Sequence, residues 1–119
     1  MKEIVQICKA FGDETRLKIL ITITKRGICA KGLAKHLGLS EATVSQHLKI
    51  LREAGIIVGE KKGYYVLYHI RQSTLQALTD FFQRVREGTL ETESLGISIP
   101  TQCRANCKAS YGKCCQKKY

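Results

Sequence analysis

The chain has 119 residues, which is enough for one domain with a small hydrophobic core. It carries 20 Lys and Arg against 10 Asp and Glu, and the formal net charge of +10 favours a polyanionic partner such as nucleic acid or an anionic membrane surface. No apolar run approaches the roughly 18 residues that span a bilayer, and the N-terminal stretch is not a signal peptide, so we expect a cytoplasmic protein with no membrane partner.

Three helices are predicted in the first third of the chain, from the spacing of apolar residues and from capping signals. The first covers residues 3–11, and its apolar face is expected to hold Ile4, Ile7, Cys8 and Phe11. Asp13 caps a second helix. The inward-facing residues of this second helix are expected to be Leu17, Leu20 and Ile23. The third helix covers residues 30–37 and ends at a tight turn, Gly38-Leu39.

The fourth predicted helix begins at Ser40, whose hydroxyl can accept a hydrogen bond from an amide of the first turn. Val44, Leu48 and Leu51 recur at i, i+4 and i+7, so they share one face and are expected to pack inward. The opposite face carries short polar side chains. Hydroxyl and amide groups suit the reading of base edges in a DNA major groove. An ordinary solvated helix face, the alternative, would more often carry Glu and Lys throughout.

The periodicity changes from helical to extended after Gly55. Residues 56–58 are predicted to form a strand, residues 60–63 a turn and residues 64–70 the returning strand of a hairpin. A last helix is predicted over residues 71–87. Its apolar stripe consists of Leu75, Leu78, Phe81, Phe82 and Val85.

The order of these elements resembles the ArsR/SmtB family of bacterial metal-sensing repressors. The resemblance rests on F-G-D-E-T-R-L-K-I-L at the second helix and S-E-A-T-V-S-Q-H-L-K-I-L at the fourth, and it covers about residues 3–88. It implies a winged helix-turn-helix fold, mainly α with one β-hairpin, in which the hairpin is the wing. It also implies a homodimer that binds a palindromic operator in double-stranded DNA and releases it when an inducer binds.

The apolar stripes of the first and last helices independently favour a homodimer. Together they exceed what one small domain needs, and such stripes commonly pack across a two-fold axis. The alternative is that both stripes pack within one subunit. We therefore expect a DNA-binding and dimerisation domain over residues 1–88, followed by a linker and a cysteine-rich basic tail over residues 89–119.

Eight residues are predicted to contact DNA. The candidates for base contacts, or for positions beside them, are Thr43, Ser45 and Gln46. The candidates for phosphate contacts in the same helix are His47 and Lys49. The candidates for contacts with the DNA backbone or the minor groove, at the wing tip, are Lys61, Lys62 and Tyr64.

Four of the six cysteines crowd into the tail, and these are the predicted metal ligands: Cys103, Cys107, Cys114 and Cys115. An all-thiolate set selects soft, thiophilic ions. An adjacent cysteine pair can chelate a pyramidal ion that takes three sulfurs, and some arsenic-sensing members of the family use such C-terminal cysteines. Trivalent arsenic or antimony is therefore the leading inducer. Zinc, cadmium or lead sensing, an iron–sulfur or disulfide redox switch, and a tail without a specific role stay as alternatives.

Other family sites match this sequence less well. One inducer site of the family contains a Cys-x-Cys pair. Cys29 matches one of these cysteines, but Lys31 occupies the position of the other, so this site is incomplete here. A site built from Asp and His ligands on the last helix is also absent, since that helix holds Asp80 without a histidine. Cys29 remains open as an additional ligand. Cys8 is expected to be a small buried hydrophobic residue.

An enzyme is the first competing class of protein. We predict no enzymatic activity, because the sequence contains no phosphate-binding glycine loop, no cofactor fingerprint and no cysteine with a recognisable acid–base partner. A DNA-binding architectural protein without an inducer is a second alternative. A protein–protein module on the same fold is a third, and its binding would show little salt dependence.

Overall fold

The computed structural model describes residues 1–98. The helices in this part of the chain are α1 (Lys2–Phe11), α2 (Glu14–Lys25), α3 (Ala30–Leu37), α4 (Glu41–Glu53) and α5 (Gln72–Glu87), and the strands are β1 (Ile57–Lys62) and β2 (Tyr65–Ile70). Met1–Glu87 form one compact unit, and a second begins at Gly88 and includes a short 3-10 helix, Glu93–Leu95. The predicted class, mainly α with one hairpin in a winged helix-turn-helix order, is confirmed.

Helix ends lie where the capping residues predict them. The Asp13 carboxylate accepts a hydrogen bond of 3.0 Å from the backbone N–H of Arg16 at the start of α2. The Ser40 hydroxyl accepts one of 3.1 Å from the backbone N–H of Thr43 at the start of α4. Between α3 and α4, Gly38 adopts a φ of 67°, a left-handed conformation that glycine reaches without the cost of a Cβ. These three positions therefore fix the helix–turn–helix.

One hydrophobic core joins the first four helices to the hairpin. The inward face predicted for α4 is confirmed, since Val44, Leu48 and Leu51 are all almost fully buried. The other core residues are Ile7, Ala10, Ile19, Leu20, Ile23, Leu33, Ala34, Ile56, Ile57, Tyr68 and Leu78.

Two predictions about inward-facing residues are wrong. Leu17 is 43% exposed, and Ile19 is fully buried instead. The reason is that α2 carries apolar residues on two faces, and the face built on Ile19 and Ile23 at i and i+4 turns inward. Cys8 is also exposed rather than buried. In α1 the face that packs on the core holds Ile7 and Ala10, and Cys8 lies beside that face.

The hairpin turn is shorter than predicted. β1 extends to Lys62, which pairs with Tyr65, so the turn consists of Gly63 and Tyr64 rather than of residues 60–63. Charged residues in the second half of β1 resemble a turn in sequence, yet they continue the ladder. A two-residue turn with positive φ at its glycine, 63° here, follows the natural twist of paired strands. The backbone N–H of Tyr68 also donates to the Ile28 carbonyl (3.0 Å), which attaches the hairpin to the segment before α3.

The last helix has a largely uncovered apolar stripe. Leu78 is buried, whereas Phe82 and Val85 are each 51% exposed. At the start of α5, the Thr74 hydroxyl donates to the Gly55 carbonyl (2.5 Å) and attaches the helix to the end of α4. The part of one subunit that the structure describes therefore leaves Phe82 and Val85 half-exposed. None of the helices described in residues 1–98 is long and apolar enough to cross a membrane.

Candidate nucleic-acid interface

The fourth helix is held rigidly enough to present a defined outer surface. Its inner side contributes three of the most deeply buried residues in the core, and Leu33 and Ala34 of α3 are buried in the same cluster. Capping by Ser40 fixes its first turn. Because one face is fixed in the core and the start is capped, the orientation of the opposite face is also fixed.

That opposite face carries the predicted base-reading residues. Ser45, Gln46 and Lys49 are exposed. Thr43 is half-buried, and its hydroxyl accepts a hydrogen bond of 2.9 Å from the Ser40 hydroxyl. A hydroxyl that accepts here can still donate its own proton. The face therefore offers one amide, two hydroxyls and one ammonium group, which together can donate to and accept from base edges.

His47 is less exposed than Gln46 and Lys49, and one of its ring nitrogens faces the protein. Its Nδ1 is 3.3 Å from Nη1 of Arg16. A guanidinium has donors and no acceptor, so the tautomer that fits this contact is the one that accepts at Nδ1. In the neutral imidazole the proton then sits on Nε2, which can donate to a phosphate oxygen. The predicted phosphate contact is compatible with this geometry through Nε2.

Arg16 belongs to the F-G-D-E-T-R-L-K-I-L motif, but the sequence analysis predicted no role for it. Its side chain donates from Nε to the Ala10 carbonyl (2.6 Å) and from Nη2 to the Lys9 carbonyl (3.4 Å), besides its contact with His47. The backbone N–H of Arg16 lowers the pKa of Asp13 below its usual value, and the nearby guanidinium charge acts in the same direction. The available signal was a basic residue in the first turn of a helix that directly follows another helix end.

The wing separates its two lysines. Successive residues of a strand point to opposite faces, so Lys61 and Lys62 lie on different sides of the hairpin. Lys62 shares a side with Glu60, and its Nζ lies 3.6 Å from that carboxylate. The side of Lys61 is the one on which Val66 and Tyr68 face the core. Tyr64, at the turn, is fully exposed.

An open cleft of about 480 Å³ lies between the wing, the start of α3 and the start of α4. Its walls are Cys29, Ala30, Lys31, Glu41, Tyr64, Tyr65, Val66 and Tyr68. Cys29 is the N-cap of α3, and its sulfur accepts a hydrogen bond of 3.4 Å from the backbone N–H of Gly32. The cleft places the wing beside the first turn of α4, so both elements border one surface.

The structure does not test the predicted metal ligands. Cys103, Cys107, Cys114 and Cys115 lie outside the described residues. Within residues 1–98, no group of three or more His, Cys, Asp or Glu side chains is arranged to hold a metal ion. The part of the chain that the structure describes is therefore a candidate DNA interface, and its inducer site stays a prediction.

Comparison with known proteins gives consistent results. Residues 13–58 match the family model described as "Bacterial regulatory protein, arsR family". The transcriptional repressor SdpR of Bacillus subtilis is 34% identical over 70 residues, which are 59% of this chain and 78% of SdpR. The arsenical resistance operon repressor of Escherichia coli is 36% identical over 67 residues, covering 56% of this chain and 57% of that repressor.

A solved structure supports the same fold. The homodimeric winged helix-turn-helix DNA-binding domain of Mb0332 from Mycobacterium bovis, a possible ArsR-family regulator, superimposes with a TM-score of 0.61. The match covers 76% of this chain and 84% of that domain at 22% sequence identity. Residues 13–58, matched by the family model, run from the cap of α2 into β1 and contain all of α4.

Proposed function

The chain belongs to the arsR family of bacterial regulatory proteins, and we propose that it represses transcription as a homodimer until a thiophilic inducer releases it from its operator. It is a transcriptional regulator of the repressor type, like SdpR and the arsenical resistance operon repressor. The palindromic operator, the inducer and the residues that bind each of them are the proposed parts. The inducer that we favour is trivalent arsenic or antimony.

The observation that carries the DNA-binding part is the outer face of α4. This face combines a rigid backbone with Ser45, Gln46 and Lys49 pointing outward, and it lies beside a wing that bears Lys61 and Tyr64. A helix of this kind fits the major groove, and a formal net charge of +10 favours the approach to phosphates. Phosphate contacts of this kind make affinity fall steeply with salt concentration.

The uncovered stripe of α5 supports the homodimer. Phe82 and Val85 are half-exposed aromatic and aliphatic side chains on one helix, and Val5 of α1 is exposed as well. Full burial of such a side chain contributes roughly 1.5–3 kcal/mol, and burial of the exposed half about half of that. A two-fold dimer places two copies of α4 about one DNA turn apart, which matches two half-sites of a palindrome.

The inducer part rests on the chemistry of the tail. We propose that three of the thiols of Cys103, Cys107, Cys114 and Cys115 bind the ion. Thiolates prefer soft ions, and one relative is a repressor of arsenical resistance. For release, the ion must bind the DNA-free arrangement more tightly than the DNA-bound one, because equal affinity would shift no population.

A redox switch is the second candidate. The observation that favours it is the exposure of Cys8 on α1, which makes this thiol accessible to oxidants. Cys29 is partly exposed in the cleft beside the wing. Oxidation of either thiol would then replace arsenite as the signal, while the DNA-binding surface would stay the same.

The test is fluorescence anisotropy of the reduced, anaerobic full chain on a labelled fragment of its own promoter, titrated with arsenite. We expect release near one ion per subunit, and we expect a variant with serine at the four tail cysteines to stay bound. Cys8→Ser is the matched control and should be released like the wild type. Normal release of the tail variant would contradict the proposed ligands.

The same titration separates the remaining candidates. Tight binding that ignores arsenite but is lost with zinc, cadmium or lead would replace the proposed ion. Loss with a mild oxidant, prevented by Cys8→Ser, would favour the redox switch. Binding that ignores all of these signals would leave an architectural DNA-binding protein without an inducer.

A further inference from the structure

α4, the proposed recognition helix, is joined to α1 by polar contacts as well as by the hydrophobic core. At the middle of α4, His47 meets the guanidinium of Arg16, which also binds two carbonyls at the end of α1. At the last residue of α4, the Gln6 side-chain amide of α1 donates to the Glu53 carbonyl (3.3 Å). The position of α4 on α1 is therefore fixed at two points.

Arg16 is suited to this connection because its guanidinium is planar and presents donors in fixed directions. Nε and Nη2 donate to the carbonyls of Ala10 and Lys9 in the last turn of α1, and the Lys9 carbonyl also accepts from the backbone N–H of Gly12 (3.1 Å). Nη1 is directed to His47. A lysine at this position would supply one flexible point charge and would not link the three acceptors in one plane.

The connection has a consequence for DNA recognition if α1 belongs to the dimer interface, as in the proposed function on which this inference rests. In that case the angle between α1 and α4 sets the distance between the two recognition helices. We propose that Arg16 is a positioning residue that fixes α4 on α1 and thereby sets the half-site separation that the dimer accepts. Direct contact of Arg16 with DNA is not required for this role, since its donors are directed to α1 and His47.

The experiment is a selection of bound sequences from a random double-stranded DNA library, carried out with the full chain. The wild type is compared with Arg16→Gln and with Arg26→Gln, which removes the same charge from an exposed arginine that ends α2. We expect the wild type and Arg26→Gln to select one half-site separation. Arg16→Gln should select the same half-sites at several separations and bind the wild-type operator about tenfold more weakly.

Two further measurements keep the test decisive. Binding to random DNA and its salt slope should be unchanged in Arg16→Gln, because the phosphate contacts remain. His47→Ala removes the acceptor on α4 and leaves the bonds of Arg16 to α1 in place. It should broaden the separation in the same way, and it carries the test if thermal unfolding shows that Arg16→Gln does not fold.

The outcomes distinguish this inference from the proposed function. If the wild type selects no sequence, operator binding itself is contradicted. If the wild type selects one separation and both Arg16→Gln and His47→Ala keep it, the positioning role is overturned. A change in half-site sequence with an unchanged separation would also overturn it, since that result indicates a base contact.

Discussion

α4 and α5 are both amphipathic helices in the sequence, but they differ in which face the protein covers. In α4 the apolar face is buried and the exposed face carries hydroxyl, amide and ammonium groups. In α5 a single residue, Leu78, is buried, and Phe82 and Val85 stay half-exposed. The chemistry of each exposed face indicates its partner. A polar face suits base edges and phosphates, whereas an apolar face of this size suits another apolar surface.

The largest expected effect tests the apolar face of α5 as a dimer interface. Phe82→Glu places a charge in the proposed dimer interface of both subunits. Because Phe82 is already about half-buried within one subunit, loss of two Phe side chains from a two-fold interface removes about 1.5–3 kcal/mol per dimer, before the cost of burying the carboxylates is added. Analytical ultracentrifugation should show a monomer at concentrations where the wild type is a dimer, and operator binding should be lost.

A matched control for that change is Ser73→Glu, at an exposed position in the first turn of α5. A carboxylate is favourable near a helix N-terminus, so this variant should keep the wild-type mass and affinity. If Phe82→Glu stayed a dimer with unchanged operator binding, the apolar stripe of α5 would not be the dimer interface and would need a different partner.

The next effect tests the polar face of α4. Gln46→Ala removes the amide that is best placed to pair with a base, and the expected cost on the selected operator is about 1–3 kcal/mol. Affinity for random DNA should be unchanged, because no phosphate contact is lost. Anisotropy titrations on the operator and on random DNA measure the ratio of the two affinities. An equal loss of affinity for both DNAs would mean that Gln46 contacts the DNA backbone rather than a base.

α4, α2 and the hairpin show how much of the fold could be predicted from the sequence. The i, i+4, i+7 spacing in α4 and its serine cap were sufficient to predict where it begins and which face is buried. α2 was harder, because apolar residues lie on two of its faces and spacing alone did not distinguish Leu17 from Ile19. Local charge was misleading in the hairpin, where Glu60 to Lys62 extend a strand rather than form the turn.

The role of Arg16 could not be predicted for a different reason. Its partners, Ala10, Lys9 and His47, are 6, 7 and 31 residues away in the sequence, and two of the contacts are with backbone carbonyls. Residue types do not show which carbonyls or side chains a guanidinium reaches across a helix–helix junction. Polar contacts of this kind therefore need the structure, whereas helix caps and apolar stripes do not.

The smallest expected effect sharpens the account of the wing. The sequence treats Lys61 and Lys62 alike, but the register places them on opposite sides of the hairpin, and the Lys62 ammonium lies 3.6 Å from Glu60. Lys61→Ala should weaken binding to all DNA sequences and lower the salt slope by about 1, as expected for one phosphate contact. Lys62→Ala should change the slope less, because Glu60 already offsets part of that charge and an exposed ion pair contributes only about 0.2–1 kcal/mol.

The two lysine variants are matched controls for each other, since each removes one ammonium from neighbouring positions of β1. Salt titrations on random DNA measure both slopes without any knowledge of the operator. A larger change for Lys62→Ala would mean that the outer side of the wing faces the phosphates. In that case the hairpin approaches DNA from the side of Glu60, and the cleft beside α4 is turned away from the duplex.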